Sequence, residues 1–388
     1  MSTGPKPSRE RLSELFIELA RIPSPSRCER LVADAVIARL GALGVAVHED
    51  ATGKTIGGDC GNLWCVVGSP QAEPRLALGA HLDTVMPSPP IEPVLGDDGV
   101  FRNARDGVLG ADDKAAIAVL VHAVELLTES RASFPAFELF FTVCEEQGLV
   151  GVKHLDESAL RSPMAVVMDS SGPVGGITVR APSQQIIRAR FKGQAAHAGV
   201  EPEKGRSAIQ AAAKAVAAMD LGRLDEETTA NIGIINGGVA TNVVPESCEI
   251  EGECRSHDEA RLADVAADMV DAVQHAAAEV GVDVEVSLVR EFRSFALDGR
   301  APIVRLGKAA VAALGLTPRL LTAGGGSDAN VLNERGIPTI NLDVGMMRVH
   351  SPEEYVALDD LEHLCEVTLK IILLSGASTS VEGREIRA

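Results

Sequence analysis

The segment Leu76-Ala-Leu-Gly-Ala-His-Leu-Asp83 decides the fold. A short apolar run ends abruptly in an imidazole and a carboxylate. The same change recurs at Leu139-Phe-Phe-Thr-Val-Cys-Glu-Glu146 and at Ala165-Val-Val-Met-Asp169. Apolar runs of this length predict strands buried on both faces rather than half-exposed ones. Between the first two lies a helical stretch from about Asp113 to Leu127. Strands alternating with helices predict an α/β sheet with crossovers, where ligands gather at the carboxyl ends of the strands. Each run turns polar where that edge is expected.

Working outward, helices are predicted after Ser8, with Leu12, Leu15, Phe16 and Leu19 on one face, and over about Glu29–Leu43. Leu63–Val67 reads as a further strand. The pattern changes after Pro182. Strands at Gln185–Phe191, Asn231–Ile235, Glu246–Ser256 and Val282–Val289 interleave with helices at Arg206–Met219 and Glu259–Glu279. That β-α-β-β-α-β order is the split arrangement of a small two-layer, ferredoxin-like α+β domain. From about Ala301 the first pattern resumes, with a helix to Leu314, a short strand Thr339–Leu342 and a last helix from Asp359. The expectation is one α/β domain with a mixed, largely parallel sheet, in two parts (1–182 and 297–388), interrupted by an inserted domain (183–296). The small, polar residues after Gly376 are expected to be loose. No internal repeat or low-complexity tract is evident.

Composition narrows the function. The 388 residues, 46% hydrophobic and 23% charged, suit two folded domains, and only 3% aromatic content puts the core on Ala, Val, Leu and Ile. A formal net charge of −19 makes nucleic acid and anionic membranes poor partners. No apolar segment predicts a signal peptide or a bilayer span, and the seven cysteines have no C-x2-C pair of a structural zinc site. A cytoplasmic location with free thiols is the expectation. No G-x-G-x-x-G opens a helix after the first strand and no G-x-S-x-G elbow occurs, which sets aside a dinucleotide-binding dehydrogenase and a serine hydrolase.

The ligand-bearing segments are His81-Leu-Asp83, Gly110-Ala-Asp112-Asp113-Lys114, Glu145-Glu146, Asp169 and His350-Ser-Pro. Singly, each has a plain explanation as a polar turn, a helix cap or a solvated loop. Jointly, carboxylates converging on one sheet edge would repel unless cations neutralise them. Two His and three carboxylates supply two metal sites if one carboxylate bridges them, and a remaining carboxylate is free to act as general base.

With these motifs the chain resembles the dinuclear-zinc peptidases, the family that includes peptidase T, carboxypeptidase G and succinyl-diaminopimelate desuccinylase. The likeness rests on Gly79–Val85, Gly110–Ala115, Cys144–Gly148 and Met168–Gly172, and extends over nearly the whole chain, inserted domain included. The resemblance implies that His81 and Asp169 hold one zinc, Glu146 and His350 the other, and that Asp112 bridges them. Cobalt or manganese could occupy the same sites. It further implies that Asp83 accepts a hydrogen bond from His81, that Glu145 is the general base, and that the Asp112–Asp113 peptide bond is cis. In the inserted domain it implies a lid histidine, His197, that polarises the substrate carbonyl, and an anchoring pair, Asn242 and Arg255, with Arg255 forking a substrate carboxylate. Gly325, in the glycine-rich Gly324–Asp328 stretch before a helix, is read as lending backbone N–H groups to an anionic group or as a plain turn.

Aminopeptidase members of that family carry Asp where carboxypeptidases and deacylases carry Glu, and here the residue is Asp169. With the His197-Ala-Gly-Val-Glu-Pro segment, this implies release of the N-terminal residue from di- or tripeptides. The lid motif departs from peptidase T, which reads His-Pro-Gly. A deacylase or carboxypeptidase acting on N-acyl amino acids is the alternative; a non-catalytic small-peptide-binding protein is weighed against the completeness of the ligand set. Family members often pair through the inserted domain, so a homodimer is a further expectation.

Overall fold

The computed structural model describes residues 5–69, 72–86, 90–131, 133–156 and 158–376. The C-terminal stretch expected to be loose lies outside these residues. The described residues divide into two compact units, one lying within 1–180, 296–323 and 327–388, the other within 181–295 and 324–326.

The first unit is organised by a nine-stranded mixed sheet. At its centre four strands run parallel in the order Phe137–Thr142, Ala77–His81, Ala165–Ser170, Thr339–Asp343. Antiparallel strands flank them: Leu63–Val67 beside Phe137–Thr142, and Gly176–Ala181 beside Thr339–Asp343. Every residue of Ala77–His81, Phe137–Thr142 and Thr339–Asp343 is buried, which is why these segments read as continuous apolar runs instead of alternating ones. Gly79 is required by this packing, because a Cβ there would lie 2.0 Å from the Phe140 ring.

Helix Ala111–Ser130 is buried almost all round, consistent with its lack of a polar stripe. It packs against helices Arg9–Ala20 and Leu358–Ser375. Each fully buried Ile, Val or Leu on it contributes about 1.5–3 kcal/mol. Its start is irregular: Gly110 is left-handed (φ 73°), and Asp112 and Asp113 have non-helical dihedrals. The Asp112–Asp113 peptide bond is cis.

A small antiparallel sheet, in the order Met346–Met347, Tyr355–Ala357, Val100–Asn103, Pro93–Leu95, has no counterpart in the sequence reading. Its strands are two to four residues long, too short to show a period. The sheet matters because His350 and Glu354 lie on the connection between its first two strands, which Tyr355–Ala357 ties to Val100–Asn103.

The inserted unit follows the expected β-α-β-β-α-β order with one added two-residue strand, Gly222–Arg223, after its first helix. Its antiparallel sheet runs Gly222–Arg223, Thr228–Gly237, Ser247–Ser256, Ser183–Lys192, Asp283–Phe292. Helices Ala208–Ala218 and Glu259–Val280 pack on it around Phe191, Ile250, Leu262 and Met269. Here burial alternates along the strands, as it must when a sheet has one covered face. Seven cysteines are free, Cys28 exposed and the rest buried. No helix among the described residues is long and apolar enough to cross a membrane.

Candidate metal and catalytic centre

The parallel strands deliver their polar ends to one place. His81 closes strand Ala77–His81, Glu145 and Glu146 follow strand Phe137–Thr142, and Asp169 lies near the end of its own strand. Asp112 arrives from the irregular helix start, and His350 from the small antiparallel sheet.

Asp112 sits between two imidazoles. Its Oδ1 is 2.9 Å from His81 Nε2 and its Oδ2 is 3.2 Å from His350 Nε2. His81 Nε2 is also 3.6 Å from Asp169 Oδ1, and His350 Nε2 is 3.1 Å from Glu146 Oε1. Two ligand groups result, His81–Asp112–Asp169 and Asp112–Glu146–His350, each with its donor atoms within 4.8 Å of one another and with Asp112 common to both.

The electrostatics show a demand for positive charge. Burial, reinforced by neighbouring carboxylates, lifts Asp169 to about 7 and raises Glu146. Glu145 is 8% exposed and is pushed well above the usual carboxylate range, first by burial and then by Asp169. Hydrogen bonds to Asp112 and Glu146 hold His350 at about 10. Burial opposes charge on His81, yet Asp112, Asp169 and Asp83 outweigh it and raise its pKa. Carboxylates packed this closely take up protons or cations. Imidazole and carboxylate donors in two sets sharing one bridging residue fit a pair of divalent ions.

Main-chain anchors fix the cluster. Asp83, fully buried, accepts from the N–H of Glu145 (2.9 Å, Oδ1) and of Glu146 (3.2 Å, Oδ2), and from the Ser26 hydroxyl (2.7 Å). Asp83 also meets His81. Its oxygens are committed to the Glu145–Glu146 turn, and His81 Nδ1 lies 3.0 Å from the Asp83 carbonyl oxygen but 3.4 Å from Oδ1. Asp113 Oδ2 accepts the His81 N–H at 3.1 Å.

Several supports escaped the sequence reading. Glu354 accepts the N–H groups of Leu109 (2.7 Å), Gly110 (2.8 Å) and Asp112 (3.0 Å), so one carboxylate clamps the loop that carries the bridge. Asn341 holds the Asp169 main chain from both sides, Oδ1 to N at 2.9 Å and Nδ2 to O at 3.2 Å. Lys114, fully buried, donates to the Ile22 carbonyl at 2.5 Å, and burial lowers its pKa to about 7. Lys114 had a visible signal, a lone cation opening an apolar helix. Glu354 had only the doubled glutamate after His350-Ser-Pro, which reads as solvated loop.

The remaining candidates belong to the inserted unit. Ala198 N–H donates to the Asn242 carbonyl at 2.9 Å, and His197 bridges to Val243, so the two predicted segments pair. Both His197 and Asn242 are exposed. Arg255 does not present an open fork: Nε and Nη2 bind Glu253 at 3.0 and 2.9 Å, because the two residues share a strand face. Gly325 lies against Arg255, whose Nη1 would be 3.6 Å from a Cβ added there. The anion site read into Gly324–Asp328 is partly filled from within. Ser327 N–H donates to Asn330 Oδ1 in a capping box, and Asp328 itself is buried.

A sheet with a His–carboxylate cluster at its carboxyl edge and an inserted two-layer unit is the architecture of a metal-dependent amide hydrolase, and the comparisons with known proteins agree. A peptidase dimerisation domain matches residues 186–281 and peptidase family M28 matches 63–199. The chain is 39% identical over 365 residues to the uncharacterized protein YqjE of Bacillus subtilis, covering 94% of this chain and 98% of that one. A tripeptidase from Staphylococcus aureus superposes with TM-score 0.88 at 34% identity, and the aminopeptidase PepT from Bacillus cereus with 0.83 at 38%. Each alignment covers 95% of this chain and 99% of the other. The chain belongs to the M20 family of metallopeptidases: it hydrolyses peptide bonds with bound metal ions.

Proposed function

We propose that this metallopeptidase releases the N-terminal residue of di- or tripeptides with two zinc ions, one held by His81 and Asp169, the other by Glu146 and His350, with Asp112 shared. The observation that carries this reading is the division of Asp112, one carboxylate oxygen towards each imidazole. Bound divalent ions supply Lewis acidity and lower the pKa of the water they hold.

The chain's own residues supply the rest. Glu145 is the general base: it takes a proton from the attacking water and returns it to the departing amine. Burial suits it to both tasks, since a carboxylate lifted from its usual range binds a proton more readily in the intermediate stage. Asp83 and Ser26 fix the turn that aims it. His197 polarises the scissile carbonyl. Its Nδ1 accepts the Gly199 N–H at 3.2 Å, so the neutral ring carries its proton on Nε2 and presents a donor. Asn242, Arg255 and Gly325 contact the substrate, Arg255 exchanging Glu253 for a substrate carboxylate. The names of the tripeptidase and aminopeptidase relatives support the peptide class.

Pairing of two chains through the inserted unit is supported by the dimerisation-domain match and by Ile234 and Ile235, 51% and 52% exposed. Light scattering of the purified chain checks it. A cytoplasmic location is supported by the free thiols.

The deciding experiment is elemental analysis with a panel of tripeptides and N-acyl amino acids, before and after chelation. About two zinc per chain and chelator-sensitive release of N-terminal residues are expected. Metal with turnover only of N-acyl amino acids would transfer the assignment to a deacylase.

A further inference from the structure

Behind the Glu145–Glu146 turn lies a second set of donors that the catalytic reading does not use. Glu29, Asp59 and Cys60 bring a carboxylate oxygen, another carboxylate oxygen and a thiol within 4.8 Å of one another. Glu29 is fully buried and Cys60 is 3% exposed, whereas Asp59 is open to solvent and gives an entry path.

Glu29 is incompletely satisfied. Its Oε1 accepts the N–H groups of Arg27 (2.8 Å) and Cys144 (3.0 Å), while its Oε2 is buried with no hydrogen-bond partner. A buried carboxylate oxygen without a partner is destabilising, and a cation relieves it. The neighbouring guanidinium does not fill this role. Arg30 Nη1 contacts both Glu49 carboxylate oxygens at 2.9 Å, its Nη2 pairs with Asp34 at 2.9 Å, and it offers Asp59 only its main-chain N–H. Burial lifts Glu29 to about 7, and burial together with Glu29 raises the Cys60 thiol, so a metal would compete with protons at this site.

We propose that Glu29, Asp59 and Cys60 form a third cation site, selective for a borderline ion of the zinc class, that braces the catalytic turn. One thiolate and two carboxylates suit zinc, whereas calcium and magnesium take all-oxygen sets. On binding, the thiol proton and any proton on the Glu29 carboxyl are released to solvent, the sulfur keeps its electron pair as ligand, and water completes the coordination. The brace is direct: the Glu29 carboxylate that binds the ion also holds the N–H of Cys144, the residue before Glu145.

The catalytic centre contains no sulfur donor, so the two sites are distinguishable by spectroscopy. The full chain, with its catalytic sites loaded, is titrated with Co2+. A thiolate-to-cobalt charge-transfer band saturating at one further equivalent is expected. The band should vanish in Cys60→Ser and require about tenfold or more metal in Asp59→Asn, whose exposed side chain can change without disturbing the core. It should persist in Cys28→Ser, which removes the exposed thiol. Absence of a saturable band, or a band unchanged in both Cys60→Ser and Asp59→Asn, overturns the proposal whatever the state of the catalytic pair.

Discussion

His81 and His197 are both singled out by the sequence, yet they are held in opposite ways. His81 is 2% exposed, its ring set between Asp112, Asp169 and the Asp83 carbonyl. His197 is exposed, and its ring accepts the N–H of Gly199 two residues away. The same contrast runs through the two units. At the carboxyl edge of the large sheet, residues distant in sequence anchor two candidate ligands and the base: Glu354 clamps Asp112, Asn341 clamps Asp169, Asp83 clamps Glu145. In the inserted unit, Arg255 is held by Glu253 two residues away, and Asn242 is exposed. A site that concentrates charge must be preorganised, because any slack would let the carboxylates separate. Residues that meet a substrate can remain solvated until it arrives.

The largest effect should come from the preorganised side. Glu145→Gln is expected to lower kcat by about 10³-fold, within the range for a general base, while elemental analysis still finds the metal of the parent chain. Retained turnover would remove Glu145 from that role. Glu354→Gln tests whether anchoring, not ligand identity alone, separates the regions. It keeps the shape but weakens the three N–H contacts, so metal affinity measured by competition with a chelator should fall about 10–100-fold. An unchanged affinity would show that the Asp112 loop holds itself.

The smallest effect belongs to the inserted unit. Arg255→Ala should raise KM about fivefold for peptides with a free carboxylate and leave amidated ones unaffected, because the gain is net of breaking the Glu253 fork. Equal effects on both substrates would show that Arg255 serves only its own strand.

Much of the centre was legible because its strands are buried on both faces. Where every position is apolar, a His or Asp at the strand end is conspicuous, and His81, Glu145, Glu146 and Asp169 stand out for that reason. The inserted unit was legible from alternation, and its long helices and ten-residue strands left a clear period. The small antiparallel sheet was not, since two to four residues carry no period. Glu29 was equally invisible: on the page it is one more charge at a helix start, and only burial marks it as unusual.

The sequence by itself determined the residue types of the metal cluster, the order of the central strands and long helices, and the class of chemistry. These are local properties, set by periodicity and by charge placed against apolar runs. Tertiary structure alone decided which oxygen of Asp112 faces which imidazole, that Asp83 serves the Glu145–Glu146 turn before His81, and that Glu354 reaches back more than 240 positions to the Asp112 loop. Those assignments depend on the direction of a lone pair or an N–H, which is fixed only when the strands are side by side and the polar groups have no water to turn to.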